Sequence, residues 1–208
     1  PLGDDQPVTA HKFGGSSLAD ADCFRRVAGI LLERDDAVQV TVVSAMQGVT
    51  NALIALAQTA AAKDRTWQSQ WSNLRERHIE TARDLLGDQS GALRVWLEAR
   101  HADLADTLRA LAVLGIPARE ALDAIQGLGE IWSAHLLRAH IESLGHECAL
   151  LDARDVLVVA QAELGVAVDW AASATRLAEW RASHPQRRVV ITGFVARDDD
   201  GRTTTLGR

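Results

Sequence analysis

The sequence has few cysteines and no long apolar run, and both absences restrict what the protein can be. Of its 208 residues only two are cysteines, Cys23 and Cys148, and neither has a second thiol or a histidine at ligand spacing. This usage fits a reducing compartment. No stretch approaches the roughly 18 consecutive apolar residues that a spanning helix needs, and residues 1–7 are acidic and polar rather than signal-like. We therefore expect a soluble, cytoplasmic protein.

Blocks of basic residues and metal-binding histidine patterns are also missing. The net charge is −6, and acidic and basic side chains are interspersed, so no basic face is offered to a phosphate backbone. His135 and His140 do not share one helical face, and Glu147 follows His146 without the second histidine that a zinc-binding helix needs. We expect neither nucleic acid nor a membrane as a partner, and we predict no metal site formed by the chain.

Short β-branched runs alternate with segments of helical periodicity along the chain. Hydrophobic residues make up 47% of the sequence, which is enough for the core of one sizeable domain. Strands joined to helices by short glycine turns predict an α/β fold, a three-layer α/β/α sandwich around a mainly parallel sheet. The predicted strands lie near residues 9–13, 38–43, 148–151, 189–194 and 203–206.

A long helical segment interrupts this alternation. Apolar residues recur at helical spacing from residue 67 to residue 114, which predicts a helical hairpin inserted at about 66–114 and turning near 87–91. In parallel sheets, ligands bind beyond the carboxyl ends of the strands. The loops after Phe13, Ser44 and Phe194 should therefore converge on one crevice.

The first of these loops carries a cation followed by two glycines. Lys12 ends the first predicted strand, and Gly14, Gly15 and Ser16 lead into the next helix. Exposed backbone amides before a helix favour a phosphate group. The segment is not a Walker loop, because its lysine precedes the glycines. An ordinary tight turn with a surface lysine remains the alternative.

Two further segments combine polar side chains with glycine at the start of a helix. Ser44 ends the second strand, and Gly48 and Thr50 follow it, which suits a small polar ligand. Capping of the helix by Thr50 or Asn51 is the alternative. Glu130 follows two glycines in an otherwise helical segment, where it would suit a substrate ammonium group or, alternatively, simply complement the helix dipole.

The last segment has three consecutive threonines between two arginines. It runs from Gly201 to Arg208, and it follows a predicted strand and turn. Such threonines are common in an exposed edge strand. Arg208, which follows a glycine, could make the bidentate contact that a carboxylate substrate requires.

Together and in this order, the four segments resemble the aspartate kinases of the amino-acid-kinase family, from about residue 9 to the last residue. The first matches the family's strand turn, with Ser16 where threonine is common. Residues 44–51 match its serine-to-asparagine segment, and Glu130 and Ser133 match its glycine-glutamate helix start. Residues 201–208 match the family strand in full.

The resemblance implies an ATP-dependent kinase that phosphorylates the side-chain carboxylate of L-aspartate, the first step of lysine, threonine and methionine synthesis. It implies Mg²⁺ bound with the nucleotide. It also implies a catalytic and phosphate-binding role for Lys12. The remaining roles implied are phosphate binding by Gly14, Gly15 and Ser16, and substrate binding by Ser44, Thr50, Glu130 and Arg208.

In the family this final arginine precedes an aspartate that organises phosphoryl transfer and an adenine-binding loop. We therefore expect residues 1–208 to be the N-terminal, amino-acid-binding part of the catalytic domain, without the nucleotide-binding part or regulatory domains, and inactive alone. An uncovered sheet edge in such a part favours self-association, so we expect a homo-oligomer.

Two alternatives stay open. Other kinases of this fold act on acetylglutamate, glutamate, carbamate or a nucleoside monophosphate, although the threonine-leucine-glycine-arginine strand argues against them. The chain could instead be a non-catalytic module that holds an amino acid or a partner chain.

Overall fold

The computed structural model describes residues 7–116, 119–162, 165–198 and 200–206. Strands and helices alternate, and two short 3₁₀ turns lie at Gly15–Leu18 and Gly87–Ser90. The strands are β1 (Val8–Phe13), β2 (Val38–Val43), β3 (Ala149–Leu151), β4 (Val158–Ala162), β5 (Gly165–Val168), β6 (Arg188–Thr192), β7 (Val195–Asp198) and β8 (Thr203–Thr205). The helices are α1 (Ala21–Leu32), α2 (Val49–Ala61), α3 (Trp67–Leu86), α4 (Gly91–Leu114), α5 (Arg119–Gln126), α6 (Leu128–Ser143), α7 (Ala153–Val156) and α8 (Trp170–Ser183).

Four strands form a parallel sheet in the order β1-β2-β6-β3. The central strands β2 and β6 are rich in valine, as expected where a parallel sheet is covered on both faces. The register of β1 with β2 pairs Phe13 with Val43, and that of β2 with β6 pairs Val43 with Thr192. The carboxyl ends of β1, β2 and β6 are therefore level, and the loops that follow them emerge at one edge.

Helices cover both faces of this sheet. On one face α6 contacts β2, β3 and β6, and α1, α2, α3 and α4 pack outside or beside it in the main hydrophobic core. On the other face Trp180 of α8 packs against a smaller cluster that includes Leu151 and Val189. The predicted three-layer sandwich is thus confirmed.

A second sheet, in the order β5-β4-β7-β8, was not expected. It pairs β4 with β5 and β7 with β8 in antiparallel fashion, and only β4 with β7 in parallel. The predicted strand 189–194 is wrong in its extent, because β6 ends at Thr192 and the chain turns at Gly193 and Phe194 into β7 of the other sheet. The short strands β4 and β5 were missed, since four or five residues carry little periodicity.

The helical hairpin is confirmed as α3 and α4, with its turn at Gly87–Ser90. Leu97, Leu104 and Leu108 of α4 are fully or almost fully buried. The hairpin packs against α1, α2 and α6 rather than against the sheet itself. Among the described helices, none combines the length and the apolar character needed to cross a membrane.

Candidate active site

A cavity of about 640 Å³ opens at the carboxyl ends of β1, β2 and β6. Three loops and the first turn of α6 surround it, which is the arrangement expected for a ligand site in a parallel α/β sheet. Its lining comprises Lys12, Gly15, Val42, Ser44, Ala45, Met46, Gln47, Gly48, Thr50, Asn51, Glu130, Gly193, Phe194 and Leu206.

Five residues singled out from the sequence meet in this cavity. They are Lys12, Gly15, Ser44, Thr50 and Glu130, which come from three separate segments of the chain. Gly193 and Phe194, from the turn that follows β6, also line the cavity. The expectation that three loops converge on one crevice is therefore confirmed, whereas the roles of the individual residues stay predictions.

The other three candidates are placed less directly. Gly14 immediately precedes the 3₁₀ turn Gly15–Leu18, and Ser16 belongs to it, so both lie in the glycine turn although neither lines the cavity. Arg208 lies outside the described residues. Leu206, two positions earlier, does line the cavity.

The glycine turn after β1 lies directly against the loop after β2. A Cβ atom on Gly15 would lie 3.1 Å from the carbonyl oxygen of Ala45 and 3.4 Å from the Cα of Gln47. Such contacts are closer than side chains normally allow, so glycine at this position lets the two loops approach. The glycine turn and the loop that begins at Ser44 therefore form adjacent parts of the cavity lining.

The loop after β2 ends in a left-handed residue. Gly48 has φ of 79° and is the N-cap of α2, without a side-chain capping bond. The alternative that Thr50 or Asn51 caps the helix is therefore wrong. Both residues lie in the first turn of α2 and line the cavity.

Close packing at the start of α6 brings a carboxylate to the cavity. A Cβ on Gly129 would lie 2.6 Å from the Cβ of Ala45 and 3.0 Å from a methyl group of Val49. The helical break falls at Gly127, between α5 and α6, so Gly129 is a contact point rather than part of the break. Glu130 follows in the first turn and is only 4% exposed, where the helix dipole stabilises its negative charge.

Sequence reasoning missed Phe194 as a lining residue. It adopts φ of 63°, which is unusual for a bulky side chain and is found where the surrounding structure imposes it. The preceding Gly193 donates its amide to the carbonyl of Val43 at 2.9 Å, and a Cβ there would lie 2.8 Å from that oxygen. No local sequence pattern predicts this positive φ, because it arises where the chain crosses from one sheet to the other.

The threonine segment forms an edge strand, as one interpretation held, but that strand is half-buried to buried rather than exposed. Thr203–Thr205 pairs with β7, and Thr204 is 8% exposed. Leu206, which directly follows β8, lines the cavity. A strand at the sheet edge and a segment that borders the site are therefore compatible interpretations.

Within the described ranges, no group of three or more histidine, cysteine, aspartate or glutamate residues is suited to hold a metal ion.

Known proteins resemble this chain over most or all of its length. The model of the amino acid kinase family matches residues 7–208. The bifunctional aspartokinase/homoserine dehydrogenase 1 of Arabidopsis thaliana is 34% identical over 210 residues, covering 100% of this chain and 23% of that protein. The bifunctional aspartokinase/homoserine dehydrogenase 2 of Escherichia coli is 35% identical over 199 residues, covering 95% and 24%. The chain thus spans about a quarter of the length of these relatives.

Solved structures of an aspartokinase have a similar fold. Escherichia coli aspartokinase III in complex with lysine and aspartate superimposes with a TM-score of 0.85 at 27% identity, over 97% of this chain and 44% of that one. The same enzyme in complex with aspartate and ADP gives a TM-score of 0.83 at 28% identity, over 97% and 43%.

Proposed function

Because the chain belongs to the amino acid kinase family, we propose that the protein carrying it is an aspartate kinase and that the cavity binds L-aspartate. The observation that carries this proposal is the meeting of Lys12 and the glycine turn with Glu130 in one cavity. A cation beside backbone amides suits a phosphoryl group, and a carboxylate suits an ammonium group. An amino acid that accepts a phosphoryl group needs both.

The proposed reaction brings two anions together. A side-chain carboxylate oxygen of aspartate attacks the γ-phosphorus of ATP, and the bond from that phosphorus to the bridging oxygen breaks, so ADP leaves with the electron pair. Lys12 and the amides of Gly14, Gly15 and Ser16 would stabilise the charge on the transferring oxygens, because phosphoryl transfer depends chiefly on positioning and charge neutralisation. Mg²⁺ would enter with the nucleotide.

Recognition of aspartate would follow from charge. Glu130 would accept hydrogen bonds from the ammonium group, and the hydroxyls of Ser44 and Thr50 would hydrogen-bond to the substrate. Arg208 is proposed as the partner of a substrate carboxylate on the basis of its sequence match alone. The low exposure of Glu130, at 4%, supports its assignment, since a charge interaction strengthens where water is scarce.

We further propose that these residues form the amino-acid-binding part of the catalytic unit. The relatives of known structure bind aspartate together with ADP in one case and with lysine in another. Lysine, threonine and methionine synthesis is the corresponding biosynthetic role.

We also propose that the chain assembles with a second copy of itself through its sheet edges. Light scattering over a dilution series tests this assembly, and a concentration-independent monomer would contradict it.

The activity is tested by trapping the acyl phosphate. The intact protein that carries this sequence would be incubated with Mg-ATP and L-aspartate, and the product captured with hydroxylamine while ADP release is followed separately. We expect hydroxamate and ADP in equal amounts with aspartate, and little of either with glutamate, acetylglutamate or carbamate. Turnover of another acceptor would identify a different kinase of this fold, and calorimetric binding of aspartate without turnover would indicate a non-catalytic module.

A further inference from the structure

Arg77 of the helical hairpin reaches across to two loops at the cavity. Its Nη1 donates to the carbonyl oxygen of Gln47 at 2.9 Å, and its Nη2 donates to the carbonyl oxygen of Ala19 at 3.0 Å. Gln47 lines the cavity in the loop after β2, and Ala19 ends the 3₁₀ turn that begins at Gly15. One side chain therefore joins both loops to α3.

We propose that Arg77 is a positioning residue that holds these two loops at the spacing the phosphoryl-transfer site requires. The proposal rests on the kinase function proposed above. It gives a role to the hairpin, none of whose residues lines the cavity. A guanidinium group is a rigid planar fork, so two of its arms fix the relative position of two acceptors more narrowly than a lysine could.

Each loop contains glycine backbone that can adopt several conformations. The two loops therefore need a contact from outside to hold them at one spacing. The first has consecutive glycines at Gly14 and Gly15, and the second has Gly48 at φ of 79°. Glycine gains conformational freedom from its missing side chain. Without an external tie, the amides of the first loop and the hydroxyls of the second would sample more than one arrangement, at a cost to a site that works by preorganisation.

The direct contact of the loops makes their spacing sensitive. Gly15 lies against Ala45 and Gln47, so that even a Cβ atom would approach the Ala45 carbonyl to 3.1 Å. The Arg77 acceptors flank this contact, one in each loop. Loss of the fork would allow the loops to shift against one another, moving Ser44 and Thr50 relative to the glycine turn.

Other arginines of α3 are placed differently. Arg75 pairs with Glu98 of α4 and so ties the two helices of the hairpin together. Arg83 is exposed. Arg77 instead donates to main-chain oxygens 30 and 58 residues away in sequence, an arrangement that specifies geometry rather than charge pairing.

The test compares Arg77→Met, Arg77→Lys and the control Arg83→Met in the intact protein. Methionine keeps much of the unbranched stem and removes the donors. We expect Arg77→Met to lower kcat about tenfold or more, with a smaller change in the KM for ATP, because small displacements of reacting groups have large rate effects. Arg77→Lys should be intermediate, since one ammonium group replaces the fork, and Arg83→Met should resemble wild type. Unfolding temperatures should stay close to wild type in all three.

A second measurement needs no activity. Amide hydrogen exchange at residues 15–19 and 45–48 should accelerate about tenfold in Arg77→Met and stay unchanged in Arg83→Met. Unchanged exchange in both variants would overturn the proposal, as would a fall in activity that merely tracks a loss of folded protein. If wild type makes no acyl phosphate but the exchange result holds, the kinase assignment fails while the positioning role stands.

Discussion

The two sides of α6 bury polar groups for different purposes. On one side, Glu130 lies against the cavity with 4% of its surface exposed. Two residues later, Trp132 is fully buried on the hairpin side, with its ring centroid 4.7 Å from that of His78 and 4.2 Å from that of His101. The first polar group adjoins a space that a ligand can enter. The second set packs ring against ring inside the core.

Burial makes the two histidines of the ring cluster harder to protonate. It lowers the pKa of His78 to about 4 and that of His101 to about 3. Arg77 adds to the effect at His78 and Arg75 at His101, although the Nδ1 of His78 interacts with the Leu74 carbonyl at 2.8 Å, which opposes the shift. Both rings are therefore neutral at pH 7 and act as core side chains. The comparison predicts that changes on the cavity side alter catalysis and that changes in the ring cluster of His78, His101 and Trp132 alter stability.

The largest expected effect is on the cavity side, in Lys12→Ala. Removal of a cation that stabilises the transition state should lower kcat by about a hundredfold or more, roughly 3 kcal/mol. Stability should change little, because the Lys12 side chain is exposed at the end of β1. Steady-state kinetics beside thermal unfolding tests both statements, and a loss confined to the KM for aspartate would contradict the catalytic role.

Gly129→Ala should affect both sides of the comparison at once. The added Cβ would meet Ala45 at 2.6 Å, so we expect a loss of about 2 kcal/mol in unfolding free energy, typical of overpacking, and a higher KM for aspartate as Glu130 is displaced. The matched control is Gly29→Ala in α1, where no atom lies within 4 Å of the new methyl group.

That control should be neutral or slightly stabilising, because alanine favours a helix over glycine. The change in unfolding free energy of each variant is measured by chemical denaturation. Equal changes in the two variants would show that the close contact of Gly129 with Ala45 adds no cost when a methyl group is introduced.

Glu130→Gln isolates the charge on the cavity side. We expect the KM for aspartate to rise about tenfold and the KM for ATP to change much less, since a charge-assisted hydrogen bond to the ammonium group is weakened. Asn51→Ala, in the same lining, serves for comparison as the loss of a neutral polar group. Equal losses for aspartate and ATP in Glu130→Gln would point to a structural role at the start of α6.

The smallest expected effect is a change in the pH dependence of stability in His101→Phe. Because folding lowers the pKa of His101 from 6.5 to about 3, the unfolded chain takes up a proton first, and stability present above pH 6.5 is lost as the pH falls towards the folded value. Phenylalanine cannot be protonated. The variant should therefore lose about 1 kcal/mol less than wild type between pH 7 and pH 5.5.

The control for this measurement is His146→Phe, which makes the same replacement at an exposed position after α6. If the two variants lose stability equally as the pH falls, proton uptake by the buried ring does not contribute to acid sensitivity.

Local patterns were sufficient for the elements that carry strong periodicity or glycine signals. The hairpin of α3 and α4, the strands β1 and β2 and the break at Gly127 follow from apolar spacing and glycine positions. The convergence of three loops also follows, because parallel strands place their carboxyl ends at one edge. The second sheet did not follow, since its strands are short and its two hairpins are joined by a single pairing, β4 with β7, between segments remote in sequence.

What the sequence determined by itself is the set of chemical groups and the order in which they occur: Lys12 with its glycines, the hydroxyls of Ser44 and Thr50, and the carboxylate of Glu130. Only the tertiary structure decided what the glycines and the hairpin do for those groups. Gly129 and Gly15 act through contacts with Ala45, and Arg77 acts through carbonyls 30 and 58 residues away. Such roles depend on distances between segments remote in sequence, which no local propensity encodes.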